Sequence, residues 1–305
     1  MQPDAIHLCP HCELRYPTVA EWRDHVEHAH TPPEPPPRPS VPTGRLVVAL
    51  DPTRAAGPEV AVAAAAAHQT GQTLDLVAVA APGLGHSPAD AFLRARVPEA
   101  RRADVGTIAW SVLEGGKPAD VLIDHVTGEP GTVLCLGTRA RGPVRELLLG
   151  SVSAEVLRRS PVPVLLVGPR CVPPTAGFGR VVACVDGTER SDPVRVVAER
   201  VARLASIPAD EFRAARTPWV EDDDELLAPA PSLGGEAAAE AVLAVLGADP
   251  GTVAVMATEA RRGMDRVLFE SVALDVVREA RGPVLVLPPT MTASLSEPAP
   301  LVTVD

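Results

Sequence analysis

The sequence predicts an α/β protein: two tandem open parallel five-stranded sheets with helices on both faces, preceded by a small ββα metal module. Three observations predict it. Short Val/Leu-rich runs alternate with helical stretches along residues 45–289, the pattern of parallel strands buried on both faces. The end of that zone repeats an earlier stretch at an offset of 120 residues. Two cysteines and two histidines stand at zinc-ligand spacing within the first 30 residues.

Composition bounds the reading. The 305 residues suffice for about two domains. Hydrophobic residues make up 46% and charged residues 22%, which excludes a chain disordered throughout. A net charge of −11 argues against a broad nucleic-acid surface, because phosphate binding needs a basic face. Lys117 is the only lysine, so any lysine chemistry must use it. No histidine follows His125, which excludes a histidine-centred site in the second half. The five cysteines at 9, 12, 135, 171 and 184 do not form a disulfide framework, and Cys135 and Cys184, in apolar runs, read as buried thiols. No apolar stretch approaches the roughly 18 residues of a membrane span. The N-terminus lacks the cationic start and apolar run of a signal peptide. A cytoplasmic location is expected.

The elements follow in order. Residues 1–30 are the His/Cys-rich module, and 31–44 are a proline-dense, extended linker. The first α/β domain spans 45–170. Its strand at 45–50 precedes an Ala-rich helix at 58–69, with Pro58 at the start and Gly71 at the end. Then come a strand at 74–80, a helix near 88–104, a strand near 107–113, a helix at 118–127, a strand at 132–136, a helix at 151–159 and a strand at 162–167. The second domain, 179–289, opens on RVVACVDG as the first opens on RLVVALDP. It shares Thr138/Thr258, Ser151/Ser271, Val156/Val276 and Pro163/Pro283 with the first. Its middle, 205–235, carries few strand signals, and EDDDE at 221–225 reads as a solvated acidic loop. Residues 290–305 are a polar tail, expected to be disordered.

Cys9-x2-Cys12-x12-His25-x4-His30 has the ligand spacing of a tetrahedral Zn²⁺ site. His28 competes as fourth ligand, but His30 suits the usual spacing better. Tyr16 and Trp22 resemble the two hydrophobic core positions of Cys2His2-type zinc fingers. So small a core needs the metal, which supplies on the order of 10 kcal/mol in such peptides. In that family, helix positions −1, 3 and 6 read bases. Here they would be Thr18, Glu21 and Asp24, and residues 1–44 hold six acidic side chains against three arginines. DNA is therefore disfavoured, and a protein partner or a structural appendage is the expected role.

The stretch from Gly137 to Ser151 carries the other informative pattern. Gly137-x2-Ala140-x9-Gly150-Ser151, with LLLGSV at 147–152, resembles the universal stress protein family, whose ATP-binding members carry G-x2-G-x9-G-[ST] after the fourth strand. Asp51 stands where that family places an aspartate near the adenine. The resemblance covers 45–169 well and 179–289 more loosely. It implies a HUP/Rossmann-like fold and a site for ATP or AMP, accompanied by Mg²⁺ or Mn²⁺. Asp51, Gly137, Arg139, Ala140, Gly150, Ser151 and Val152 would form that site.

The chemistry of these residues agrees with the resemblance. Glycines let backbone N–H groups approach phosphate, and a helix opening at Ser151 attracts anions. Arg139 and Arg141 add positive charge. Ala140 departs from the pattern, and costs roughly 1–2 kcal/mol if its backbone needs a positive φ. In the second copy the equivalents are Ala257, Ala260, Glu270 and Ser271: both glycines beside the phosphates are lost, and a carboxylate is expected in the cleft. That copy keeps Asp186-Gly187-Thr188 and reads as a pseudo-partner. In the family, final strands pair across dimers; here 162–167 and 284–288 can pair within the chain and cover their edges. A homodimer stays open.

The expected function is a regulatory stress-response module that binds adenine nucleotide, with no catalytic residues. The alternatives are an interaction scaffold that binds no nucleotide, a zinc-dependent transcription regulator and a weak ATPase. The last lacks a positioned base or lysine.

Overall fold

The computed structural model describes residues 7–8, 15–16, 20–21, 25, 44–54, 57–80, 86–138, 150–186, 191–213, 235–258 and 266–291. The chain divides into two compact units, Met1–Arg38 and Pro39–Asp305, the division falling inside the proline-dense linker. In the first unit, β1 (His7–Leu8) pairs antiparallel with β2 (Arg15–Tyr16), His7 lying opposite Tyr16. Ala20, Glu21 and His25 are helical.

Among the described residues the second unit is built on nine strands. They are β3 (Arg45–Leu50), β4 (Thr73–Val79), β5 (Ile108–Leu113), β6 (Val133–Gly137), β7 (Val164–Val167), β8 (Arg180–Val185), β9 (Ala209–Arg213), β10 (Thr252–Ala257) and β11 (Val284–Leu287). The sequence leads one to expect two five-stranded sheets. The structure instead has a single sheet in the order β5-β4-β3-β6-β7-β11-β10-β8-β9. Every neighbouring pair is parallel except β7 and β11, which run antiparallel with Leu165 opposite Leu285. These two strands read VLLV and VLVL and are buried along their whole length. Neither could remain a solvated edge, so their pairing fuses the two halves into one sheet. The second half contributes four strands among the described residues.

The strand β9 went unread in the sequence because it is a polar edge. Its residues, ADEFR, are mostly exposed, and Glu211 pairs with Arg195 at 2.8 Å. Charge on an edge strand prevents further pairing, and it also hides the strand from any hydrophobic pattern.

Eight helices cover the sheet among the described residues: α1 (Glu59–Thr70), α2 (His86–Arg94), α3 (Val97–Arg101), α4 (Pro118–Val126), α5 (Ser151–Arg159), α6 (Asp192–Ala205), α7 (Gly235–Leu246) and α8 (Arg266–Glu279). The expected single helix near 88–104 is two short ones. Gly71 ends α1 in the left-handed conformation, φ 69°, as its position after an Ala-rich run implies. Strand side chains alternate between two cores. Leu46, Val48 and Leu50 join Val60, Ala63 and Ala67 of α1 and Val194 and Ala198 of α6 on one face. Val47, Leu134 and Leu136 join α4, α5, α7 and α8 on the other.

Hydrogen bonds recur 120 residues apart. The Thr138 N–H donates to the Val167 carbonyl at 2.8 Å, and the Thr258 N–H to the Leu287 carbonyl at 3.0 Å. Both threonine hydroxyls point to the same two carbonyls, at 3.3 and 3.4 Å. Leu134 bonds to Pro163 as Ala254 bonds to Pro283. Across the junction the packing is close. A Cβ on Gly168 would stand 1.8 Å from the Val277 carbonyl oxygen of α8.

Candidate functional site

The sheet order creates a crevice in the first half. From β3 the chain moves to β4 on one side, while β6 lies on the other, so β3 and β6 flank a topological switch point. Ligands of open α/β sheets bind outside the carboxyl ends of such strands. The two strands are in register with Ala49 opposite Leu136. Asp51 and Gly137 therefore emerge side by side at the crevice mouth, and the sequence-identified pair is brought together.

Asp51 is half-exposed and locally held. Its Oδ1 accepts the Thr53 N–H at 3.0 Å and the Thr53 hydroxyl at 2.5 Å, and its Oδ2 pairs with Arg54 Nε at 3.1 Å. Gly150 precedes α5 with φ −54° and ψ 149°, a conformation open to any residue. A Cβ there would meet nothing within 4 Å. Glycine is therefore not required by strain; its consequence is an open approach to the helix start. Among the described residues no side chain caps α5, and no acidic residue lies in its first turn. The first N–H groups of α5 thus keep their donor capacity and the helix dipole its positive end. Ser151 is exposed and Val152 half-buried at this opening. Arg139, Ala140 and Arg141 lie outside the described residues.

One residue of the crevice escaped sequence reasoning. Glu59, the first residue of α1, is 7% exposed. Its Oε1 accepts the Gly57 N–H at 2.9 Å, and a Cβ on Gly137 would come within 3.1 Å of its Oε2. The crevice floor thus carries a carboxylate. Its charge helps to raise the Glu99 carboxyl, whose main cause is burial, with Arg96 opposing. The signal in the sequence was a single acid opening an alanine-rich helix.

The second half lacks an equivalent helix start. There α8 begins at Arg266 and runs unbroken through Glu270 and Ser271 to Glu279. The counterpart of Ser151 lies inside a helix, where its N–H is used by the helix itself. The Glu270 side chain lies outside the described residues. Asp186, the counterpart of Asp51's strand-end aspartate, accepts the Ser191 hydroxyl at 3.0 Å, while Gly187 and Thr188 lie outside the described residues.

Of the four metal-ligand candidates, His25 is helical and half-buried. Cys9, Cys12 and His30 lie outside the described residues. Among the described residues no group of three His, Cys, Asp or Glu side chains could hold a metal. Likewise, among the described residues no helix is long and apolar enough to cross a membrane. The described cysteines are free thiols: Cys135 and Cys171 are buried and Cys184 half-buried. Burial pushes Cys171 and Cys184 up to about 12.

Comparison with known proteins bears on this architecture. The profile of the universal stress protein family matches residues 42–168. A universal stress protein of Thermus aquaticus, from the region beyond a QAH/OAS sulfhydrylase, is 40% identical over 57 residues, 19% of this chain and 42% of that protein. Universal stress protein YxiE of Bacillus subtilis (strain 168) is 31% identical over 67 residues, 22% of this chain and 45% of that protein. The chain spans less than half the length of these curated relatives. A crystal structure described as a putative universal stress protein, from Pseudomonas aeruginosa UCBPP-PA14, superposes with a TM-score of 0.52 at 19% identity, over 83% of this chain and 96% of that one. A universal stress protein from Archaeoglobus fulgidus DSM 4304 gives 0.52 at 16% identity, over 79% and 96%. At such identities the likeness is one of fold, and it extends across both halves. The parallel five-strand half, its switch-point crevice and the profile match coincide, and over residues 42–168 the chain is similar to the universal stress protein family.

Proposed function

We propose that the first half binds an adenine nucleotide, ATP or AMP, as a regulatory module that performs no catalysis, and that the second half is a degenerate second copy serving as scaffold. One observation carries the reading: Asp51 and Gly137 share a switch-point crevice in a half whose α5 opens at Gly150–Ser151 with no side-chain cap among the described residues. Asp51 supplies an acceptor for a base or ribose, and the helix start supplies donors and positive potential for phosphate. Mg²⁺ or Mn²⁺ would accompany a triphosphate. In the second half α8 starts at Arg266, five residues before Ser271, so no helix start lies at the position matching Ser151, while the hydrogen bonds repeated at 120 residues support common ancestry of the halves.

Residues 1–30 are read as a Cys2His2-type zinc module, with Cys9, Cys12, His25 and His30 as ligands and a protein as partner. The β1–β2 hairpin followed by helical residues supports that order of elements. A scaffold that binds no nucleotide is the competing reading. Glu59 favours it, since its carboxylate opposes phosphate beside Gly137.

Calorimetric titration of MgATP and of AMP into the full zinc-loaded chain separates the two readings. Saturable binding that Gly150→Asp removes supports the nucleotide module. Heat changes absent at millimolar ligand leave the scaffold.

A further inference from the structure

A cavity of about 510 Å³ opens where the two halves meet, on the face that carries α1 and α6. Its origin is topological. α1 joins β3 to β4, and α6 joins β8 to β9, so neither is centred on the fused pair β7 and β11. The space between them is left over the middle of the sheet. Leu46, Leu165, Val253 and Leu285 lie on its floor, and Ala66, Val197, Val201 and Leu204 line its helical walls. The size lies within the range of about 300–1,000 Å³ of small-molecule sites, which combine an apolar body with a few polar groups.

The polar groups of the lining define the ligand. Most are already committed. Gln69 donates to the Phe178 and Ala205 carbonyls at 2.7 and 3.3 Å and accepts the Phe178 N–H at 2.8 Å. The Thr70 hydroxyl donates to Ala66, and the Gln72 amide to the Gly131 carbonyl at 2.9 Å. Glu129 is paired with Arg45 Nε at 2.6 Å, so its charge is answered. Two groups remain. The Thr132 hydroxyl is buried, with the residue 3% exposed, and has no hydrogen-bond partner among the described residues. Arg200, on α6, is exposed, and no ion pair or hydrogen bond engages its guanidinium among the described residues. An apolar chamber with one uncompensated cation and one orphan hydroxyl calls for a molecule with an apolar body, an anionic end and room for one further hydrogen bond. A buried hydroxyl without a partner costs free energy that such a ligand would restore.

We propose that this seam cavity binds a small amphipathic carboxylate, its apolar body between α1 and α6 and its carboxylate on Arg200. The site is separate from the switch-point crevice: none of Asp51, Gly137 or Gly150 lines it.

Dodecanoate is the probe, titrated below its micelle concentration into the full chain, with dodecanol and dodecyltrimethylammonium as controls of equal chain length. Intrinsic tryptophan fluorescence and calorimetry follow binding, and circular dichroism checks each variant's fold. Saturable binding of dodecanoate is expected, with the cationic control failing. Arg200→Glu should weaken binding by about tenfold or more, the scale of a charge-assisted pair. Ala66→Trp, which fills the chamber from α1, should abolish it. No saturable binding by a folded chain overturns the proposal, and so does equal binding of all three probes or indifference to Arg200→Glu. Binding that appears only after removal of residues 292–305 would assign the cavity to the chain's own tail. Binding lost as protein concentration rises would assign it to a second copy. Either outcome overturns the small-ligand reading.

Discussion

Glu59 sets the charge that the candidate crevice presents to a phosphate. Its carboxylate lies against Gly137, and two unit charges about 4 Å apart repel by about 1 kcal/mol even at the dielectric of water. Glu59→Gln keeps an acceptor for the Gly57 N–H and removes the charge. Its affinity for MgATP should rise about fivefold, with a smaller gain for AMP; calorimetry on the two ligands checks the difference. Gln69 plays a structural part at the same scale, tying α1 to Phe178 and to the end of α6. Gln69→Ala strands the Phe178 N–H and carbonyl and should destabilise the fold by about 2 kcal/mol, read from urea unfolding. The thiols give a pH dependence of known sign. Folded Cys171 and Cys184 hold their protons up to about 12, because burial disfavours the thiolate. The unfolded chain releases them near pH ~8.5. Above that pH the unfolded state binds fewer protons, so stability is complete below ~8.5 and is lost as pH rises toward the folded value. The urea midpoint should fall from pH ~8 to ~10.5, and Cys171→Ser with Cys184→Ser should lessen the fall, leaving the part due to Cys135, whose thiol burial also raises. Asp51, Gly137 and Gly150 were legible in the sequence because each marks a strand end or helix start. Glu59 and Gln69 were not: their partners lie at strand ends and loops that only the fold brings near.

Among the elements, α8 explains the asymmetry of the halves. Sequence comparison showed the lost glycines, but not that the helix would extend back to Arg266 and absorb the position matching Ser151. Helix starts are set by a few capping residues and are the least legible part of an element. The buried strands were legible, since VLLV and VLVL have no polar face; the charged edge β9 was not. The junction yields a prediction at this scale. Gly168 ends β7 against α8, and Gly168→Ala drives a methyl into the Val277 carbonyl. Overpacking of this kind costs about 1–3 kcal/mol. Thermal unfolding should show a lowered midpoint, whereas Gly179→Ala, with open space around its Cβ, should leave the midpoint nearly unchanged.

At the scale of the molecule, the fused sheet makes one body of two halves, each with a switch-point crevice at opposite strand ends. The residue matches at an offset of 120 were readable in the sequence; the single nine-stranded sheet of the described residues required the antiparallel β7–β11 pair to be seen. The two crevices differ at their helix starts: Ser151 opens α5 in the first half, and Ser271 lies inside α8 in the second. Photo-crosslinking of the full chain with an azido-ATP analogue, followed by mass spectrometry of the labelled peptides, tests whether the proposed nucleotide site follows this difference. Label is expected within the first half, around Asp51 and the segment from Gly137 to Val152, competed by MgATP and absent near Ala257 and Ser271. Label in the second half, or none in the first at saturating analogue, would contradict it.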